Sequence, residues 1–207
     1  MRTLSLILAA SLLLVISGCN GSSSNTSGPA AVKENVQPVA DPEVAVIEME
    51  NAAAYGTITI ELYSNIAPKA VERFKELAKE GVYNGVTFHR VNQSVIQSGD
   101  PLSKDADPSN DGSGKSDKPN VEAEFSDIDY DTGIVGAARG QDFDSANSQF
   151  FITLKREPGF DRRYTVFGKV IDGMVNARTI GGAPRDGERP IDDIRIKTVW
   201  IEPRQQN

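Results

Sequence analysis

Two periodicities alternate along this chain. Val44 to Met49 and Gly56 to Tyr63 carry apolar and β-branched residues at alternate positions on either side of the turn-like segment Asn51 to Gly56, and this predicts a hairpin. Pro68 then opens a stretch in which Val71, Phe74, Leu77 and Ala78 share one helical face, with Gly81 where a glycine cap belongs, so a helix is expected there. Further strand patterns occur near Thr87 to Val91, Ile96 to Gly99, Gly133 to Ala138, Gln149 to Leu154, Tyr164 to Ile171 and Ile191 to Ile201. A second, short helix is expected over about Met174 to Ile180, stopped by Gly181 and Gly182. Seven or eight strands, two helices and no internal repeat predict a mainly β fold: a closed eight-stranded antiparallel barrel capped by the two helices.

The N-terminus breaks this pattern. Arg2 precedes an apolar run from Leu4 to Ile16, interrupted only by Ser5 and Ser11 and followed by Ser17, Gly18 and Cys19. The run is shorter than the roughly 20 apolar residues that span a bilayer, so a cleaved signal peptide over residues 1–18 is the better reading. Ile16-Ser17-Gly18-Cys19 resembles a bacterial lipobox, which makes Cys19 the expected lipid-bearing first residue of the mature chain. From Asn20 to about Glu43 the sequence is mostly Ser, Gly, Asn, Pro and Ala, and residues 19–43 read as a flexible tether ahead of a domain over 44–207.

Composition changes this picture only by exclusion. Cys19 is the sole cysteine, so no internal disulfide and no CxxC redox or zinc site can form. The formal charge is −7, and −8 once Arg2 leaves with the signal, which disfavours nucleic acid as a partner. His89 is the only histidine; a Ser-His triad or a histidine-rich metal site would have to rest on that one ring, and no Gly-x-Ser-x-Gly elbow is present. His89 therefore reads as a half-buried structural residue. Gly114-Lys115-Ser116 ends like a phosphate loop but has Ser109 where the first glycine is required. Asp107, Ser109, Asp111 and Gly112 begin like a calcium loop, yet Lys118 stands where its glutamate should be. Asp105 to Lys118 thus reads as a long polar surface loop, with no metal or cofactor implied.

What remains is concentrated in ordered blocks: Phe88-His89-Arg90-Val91 through Ile96-Gln97-Ser98-Gly99-Asp100-Pro101, Gly133 to Arg139, Ser148-Gln149-Phe150-Phe151-Ile152, and Tyr164 to Val170. Together these resemble the signature blocks of the cyclophilin-type peptidyl-prolyl cis-trans isomerases, over about Val44 to Pro203. The residue types suit that chemistry. Rotation about a peptide bond faces a barrier of about 18–20 kcal/mol from amide resonance. A catalyst needs neither nucleophile nor cofactor; it must grip the proline ring and favour the twisted amide, whose nitrogen regains a lone pair that a fixed cationic donor can reach. The resemblance implies that Arg90 is the catalytic arginine, that Gln97 supports it, and that Phe151 floors a proline pocket walled by Val95, Phe160 and Tyr164. Ala138, Arg139, Gly140 and Gln149 fall where family members bind the substrate backbone and its neighbouring side chains.

The chain departs from the family pattern at three places. Asn92-Gln93-Ser94-Val95 is one residue short, and a pocket phenylalanine is replaced by Ser94 or deleted. Gly159 takes a position often held by tryptophan, which should weaken binding of cyclosporin-class inhibitors. Asp111 lies near a position usually held by glycine. The expected function is isomerisation of X-Pro bonds in exported polypeptides by a monomer attached to a membrane through lipid on Cys19. Its place would be the periplasmic side of an inner or outer membrane, or the outer face of the cytoplasmic membrane; Asn20 is not the aspartate associated with inner-membrane retention. The alternative is a weakly active or inactive client-binding module of the same shape.

Overall fold

The alternating segments become one antiparallel sheet in the structure, a computed structural model that describes residues 31–205. Its elements in chain order are β1 (Glu43–Met49), α1 (Ala52–Tyr55), β2 (Thr57–Leu62), α2 (Pro68–Lys79), β3 (Arg90–Val91), β4 (Val95–Ser98), β5 (Ile134–Ala137), β6 (Phe150–Thr153), β7 (Val166–Asp172), α3 (Met174–Gly181), β8 (Arg185–Asp186), β9 (Arg189–Pro190) and β10 (Ile196–Pro203). The eight-stranded sheet runs β10-β1-β2-β7-β5-β6-β4-β3, and β8 and β9 form a separate small hairpin. The expected hairpin over 44–63 is present, but its connection holds the short α1, whose first turn is capped by the Asn51 side chain accepting from Ala54 N. Helix α2 begins at Pro68 as expected, and Gly81 follows it with φ +72°.

The ladder does not close on itself: among the described residues no strand pairing joins β3 to β10. The chain just ahead of each edge strand meets instead. Gly85 N donates to Ile196 O at 2.7 Å, Ile196 N to Val86 O at 2.8 Å, and Phe88 N to Ile194 O at 2.9 Å. Thr87 and Phe88, expected as strand, are used in this seam, and β3 is only two residues long.

The register sorts side chains onto two faces. Val91, Ile96, Ile152 and Val135 lie directly opposite one another across β3, β4, β6 and β5, and each is fully buried in the larger core. That core also takes the apolar stripe of α2, where Phe74 packs on Tyr83, Phe150 and Phe167 at ring separations of 5.1, 5.4 and 5.3 Å. One residue along each strand, Arg90, Gln97, Phe151 and Gly136 form the next row, and they face the opposite side. A smaller cluster covers that side, built from Tyr63, Ile66, Val95, Tyr130, Ile134, Phe151 and Val166.

Residues 31–43, the described part of the expected tether, lie along the domain. Lys33 N donates to Phe125 O and Asp127 N to Lys33 O, while the Lys33 ammonium reaches Ile66 O at 2.6 Å. Val39 N donates to the Asn65 side chain, Asp41 N to Leu62 O, and Ala40 packs on the smaller cluster. Glu34 pairs with Arg162 at 2.7 Å. The signal peptide and Cys19 fall outside the described residues.

Candidate active site

Strand register is what assembles the site. Arg90 is the cross-strand partner of Gln97, Gln97 of Phe151, and Phe151 of Gly136, so four strands deliver one continuous row. The missing side chain at Gly136 is essential to it. A Cβ there would stand 2.5 Å from Phe151 Cζ and 2.6 Å from the Tyr130 hydroxyl, so only glycine lets the Phe151 ring lie flat in the sheet face. Phe151 stacks on the buried Tyr130 at 5.6 Å and meets Phe160 and Tyr164 edge-on at 5.3 and 5.5 Å. Phe160 is presented by a short 3-10 turn, Pro158–Phe160, which Asp161 fastens by accepting from Tyr130 N and pairing with Arg156.

The result is a cavity of about 200 Å³ lined by Arg90, Val95, Gln97, Ala138, Arg139, Phe151, Phe160 and Tyr164. Val95 and the rings of Phe151, Phe160 and Tyr164 form its floor and walls, and Gln97 and two guanidiniums, Arg90 and Arg139, stand around them. Arg90 Nη1 donates to Gln97 Oε1 at 3.4 Å, and Gln97 Nε2 donates onward to Gln149 Oε1 at 2.9 Å. Glu188, on the turn of the β8–β9 hairpin, accepts from Arg90 Nε at 2.6 Å and from Nη2 at 3.4 Å. The hydrogen bond from Arg90 holds the Glu188 carboxyl below its ordinary value of 4.5, so it is an anion at neutral pH.

Gly140 and Gln149 line a neighbouring, more polar cavity of about 400 Å³ that shares Gln97, Ala138 and Arg139 with the first. Arg139 stands between the two. Its guanidinium lies 4.6 Å from the centres of both the Phe143 and Tyr164 rings, and it donates to the carbonyls of Arg163 and Gly140. The far wall is the long polar loop, which is fastened rather than free. The fully buried Asp100 carboxylate accepts from Gly112 N at 2.5 Å, Gly114 N at 3.1 Å and Leu102 N at 2.8 Å, and the Gln149 amide donates to Gly112 O and Gly114 O. A Cβ on Gly114 would stand 2.1 Å from Asp100 Oδ1.

The ten candidate residues therefore divide: eight surround the smaller cavity, and Gly140 and Gln149 belong to the larger one. The shortened stretch after Val91 is a tight turn in which the Asn92 side chain accepts from Ser94 N and Val95 N. A Cβ on Gly159, the residue before Phe160, would meet nothing within 4 Å, so a larger side chain would fit at that position. His89 is buried beside Gly112, and burial pushes its pKa below the ordinary 6.5, so the ring is neutral. Among the described residues no group of His, Cys, Asp or Glu is gathered as a metal site. Sequence reasoning missed Tyr130, Gly136 and Glu188. Gly136 carried a signal, a glycine inside a strand pattern, which marks close approach of a neighbour; Glu188 carried none.

The sequence profile of the family described as cyclophilin type peptidyl-prolyl cis-trans isomerase/CLD matches residues 46–201. A Brucella suis biovar 1 protein named Probable peptidyl-prolyl cis-trans isomerase is 43% identical over 141 residues, covering 65% of this chain and 70% of that protein. Peptidyl-prolyl cis-trans isomerase ppi1 of Schizosaccharomyces pombe is 37% identical over 156 residues, covering 72% and 94%. Among solved structures, a Cryptosporidium parvum cyclophilin type peptidyl-prolyl cis-trans isomerase, crystallised in the presence of the dipeptide Ala-Pro, superposes with a TM-score of 0.69 at 30% identity over 78% of this chain and 99% of that one. A fold that sets an aromatic pocket beside a cationic rim, and a profile match spanning nearly all of that fold, lead to one assignment: the chain belongs to the cyclophilin-type peptidyl-prolyl cis-trans isomerases.

Proposed function

We propose that this isomerase turns X-Pro bonds in exported polypeptides from the pocket on Phe151, with Arg90 as its catalytic residue. The observation that carries the reading is the placing of a permanent cation, Arg90, beside Gln97 on the rim of a cavity floored and walled by the rings of Phe151, Phe160 and Tyr164. The cavity takes the proline ring. The guanidinium donates to the amide nitrogen only as resonance is lost, so its interaction strengthens in the transition state and lowers the barrier. Val95, Phe160 and Tyr164 close around the ring, Gln97 steadies Arg90, and the larger cavity along Arg139, Gly140 and Gln149 takes residues next to the proline. The dipeptide used with the Cryptosporidium parvum relative is of the matching chemical class.

Export and lipid attachment at Cys19 rest on the signal-like residues 1–18 and the Ile16-Ser17-Gly18-Cys19 sequence. No helix among the described residues is long and apolar enough to cross a membrane. We read the backbone bonds between 85–88 and 194–196 as the seam that closes the sheet into a barrel. The testing experiment is NMR exchange on an X-Pro peptide with the full chain in detergent, wild type against Arg90→Ala. A folded Arg90→Ala should lose about 100-fold or more in rate, as for loss of one transition-state donor. Unchanged exchange in that variant would remove Arg90 from catalysis, and no acceleration by folded wild type would leave a client-binding module.

A further inference from the structure

Glu188 lies 98 residues beyond Arg90 in the chain, yet its backbone carbonyl and its carboxylate each tie it there. Its backbone carbonyl accepts from Val91 N at 2.6 Å, which stitches the β8–β9 hairpin to β3 whatever the side chain does. Its carboxylate then accepts from Arg90 Nε and Nη2, and also from Asn92 Nδ2 at 2.5 Å. Gln97 takes one hydrogen of Nη1 on the other side. A guanidinium has five N–H groups. Three are committed by these contacts, one each on Nη1 and Nη2 stays free, and Arg90 still lines the cavity.

We propose that Glu188 is the positioning residue for Arg90: by gripping the outer edge of the guanidinium it holds the two free N–H groups toward the proline amide. Arginine on an open rim samples many rotamers, and a donor that must meet a lone pair formed only in the transition state gains from being fixed beforehand. The pair is half exposed, at 43% and 49% of side-chain surface, so its contribution to folding stability is small and its effect falls on geometry. Gln97, long at 3.4 Å, holds one point of the guanidinium; Glu188 supplies the second and third. The proposal rests on Arg90 being the catalytic donor.

The test uses the full chain in detergent and compares wild type, Glu188→Ala, Glu188→Gln, Arg90→Ala and the double variant Arg90→Ala/Glu188→Ala. Exchange NMR on an X-Pro peptide would give kcat and KM, and the Arg90 Nε–H resonance would report the side chain directly. Glu188→Ala should lower kcat about tenfold, the scale of a modest misplacement, with KM changed by less than about twofold. Its Nε–H resonance should lose protection from solvent exchange. Glu188→Gln, which keeps one acceptor oxygen, should recover part of the rate. The double variant should be no slower than Arg90→Ala alone, because Glu188 acts only through Arg90. A folded Glu188→Ala as fast as wild type overturns the proposal, and a faster one shows instead that Glu188 sequesters Arg90. If Arg90→Ala is itself fast, the catalytic assignment fails and takes the positioning role with it; if only Arg90→Ala is slow, the positioning role alone falls.

Discussion

Phe150 and Phe151 are neighbours in β6, both almost fully buried, and they do different work. Phe150 points into the larger core, edge-on to Phe74, Tyr83 and Phe88. Phe151 points through the other face of the sheet and floors the cavity whose rim is Arg90. The two clusters differ in how they end. The core face is sealed by α2 and α3, whereas the pocket face stops at rings that still have an open side for a ligand. Burial alone therefore does not separate a folding residue from a binding one; the face it occupies does. A one-residue slip of β6 would exchange the two phenylalanines, so register here is as much a functional as a structural quantity.

The sharpest way to break the comparison is to truncate each ring in turn. Phe150→Ala should cost about 3–5 kcal/mol of stability in denaturant unfolding, as for a large core deletion. Phe151→Ala should cost less, about 1.5–3 kcal/mol, because its smaller cluster borders an existing cavity, which truncation enlarges, instead of opening a new void in the larger core. It should nevertheless lose the greater share of isomerase activity at a temperature where both variants are folded. Equal stability losses with equal residual activities would dissolve the distinction between the faces. Gly136→Ala comes next, with an expected loss of about 1–3 kcal/mol from overpacking. Its new methyl group must displace Phe151 or Tyr130. It should raise KM for an X-Pro peptide, whereas a variant with wild-type KM would show that the floor can shift without consequence.

The smallest effect concerns the segment that borders the pocket face. Asp41 accepts from Ser64 N and Oγ and pairs with Lys75 at 2.7 Å. Burial alone would raise its pKa, but the hydrogen bonds from Lys75 and Ser64 outweigh that, and the carboxyl ends below its ordinary 3.8. A depressed folded value means the contribution is fully present above 3.8 and disappears as pH falls through the lower folded value. Asp41→Asn should thus destabilise by about 1 kcal/mol at neutral pH. The gap to wild type should close in acid, and a gap independent of pH would exclude the ion pair as its source.

The elements were largely legible because period and turn chemistry are local. Pro68, the stripe from Val71 to Ala78 and Gly81 frame α2 within about a residue, and the Val44–Tyr63 hairpin needed only alternation. Where expectation and structure part, a distant partner intervenes. Thr87 and Phe88, within an expected strand, pair with 194–196 in the seam, and residues 31–43, polar enough to read as tether, are held by bonds to Asn65, Leu62, Phe125 and Asp127. Polar side chains that bond one another leave no hydrophobic period to read.

The candidate site divides along the same line. Arg90 and Gln97 lie seven residues apart across a tight turn, so local sequence is enough to bring them together. Their pairing with Phe151, the void at Gly136 that admits its ring, and the arrival of Glu188 from a remote hairpin depend on strand order and register. By itself the sequence determined most of the longer strands, the helices α2 and α3, and which residue types crowd the pocket, because those follow from short-range pattern. Only the tertiary structure decided which face each ring occupies and which carboxylate reaches the arginine, because pleat direction and long-range contacts are properties of the assembled sheet.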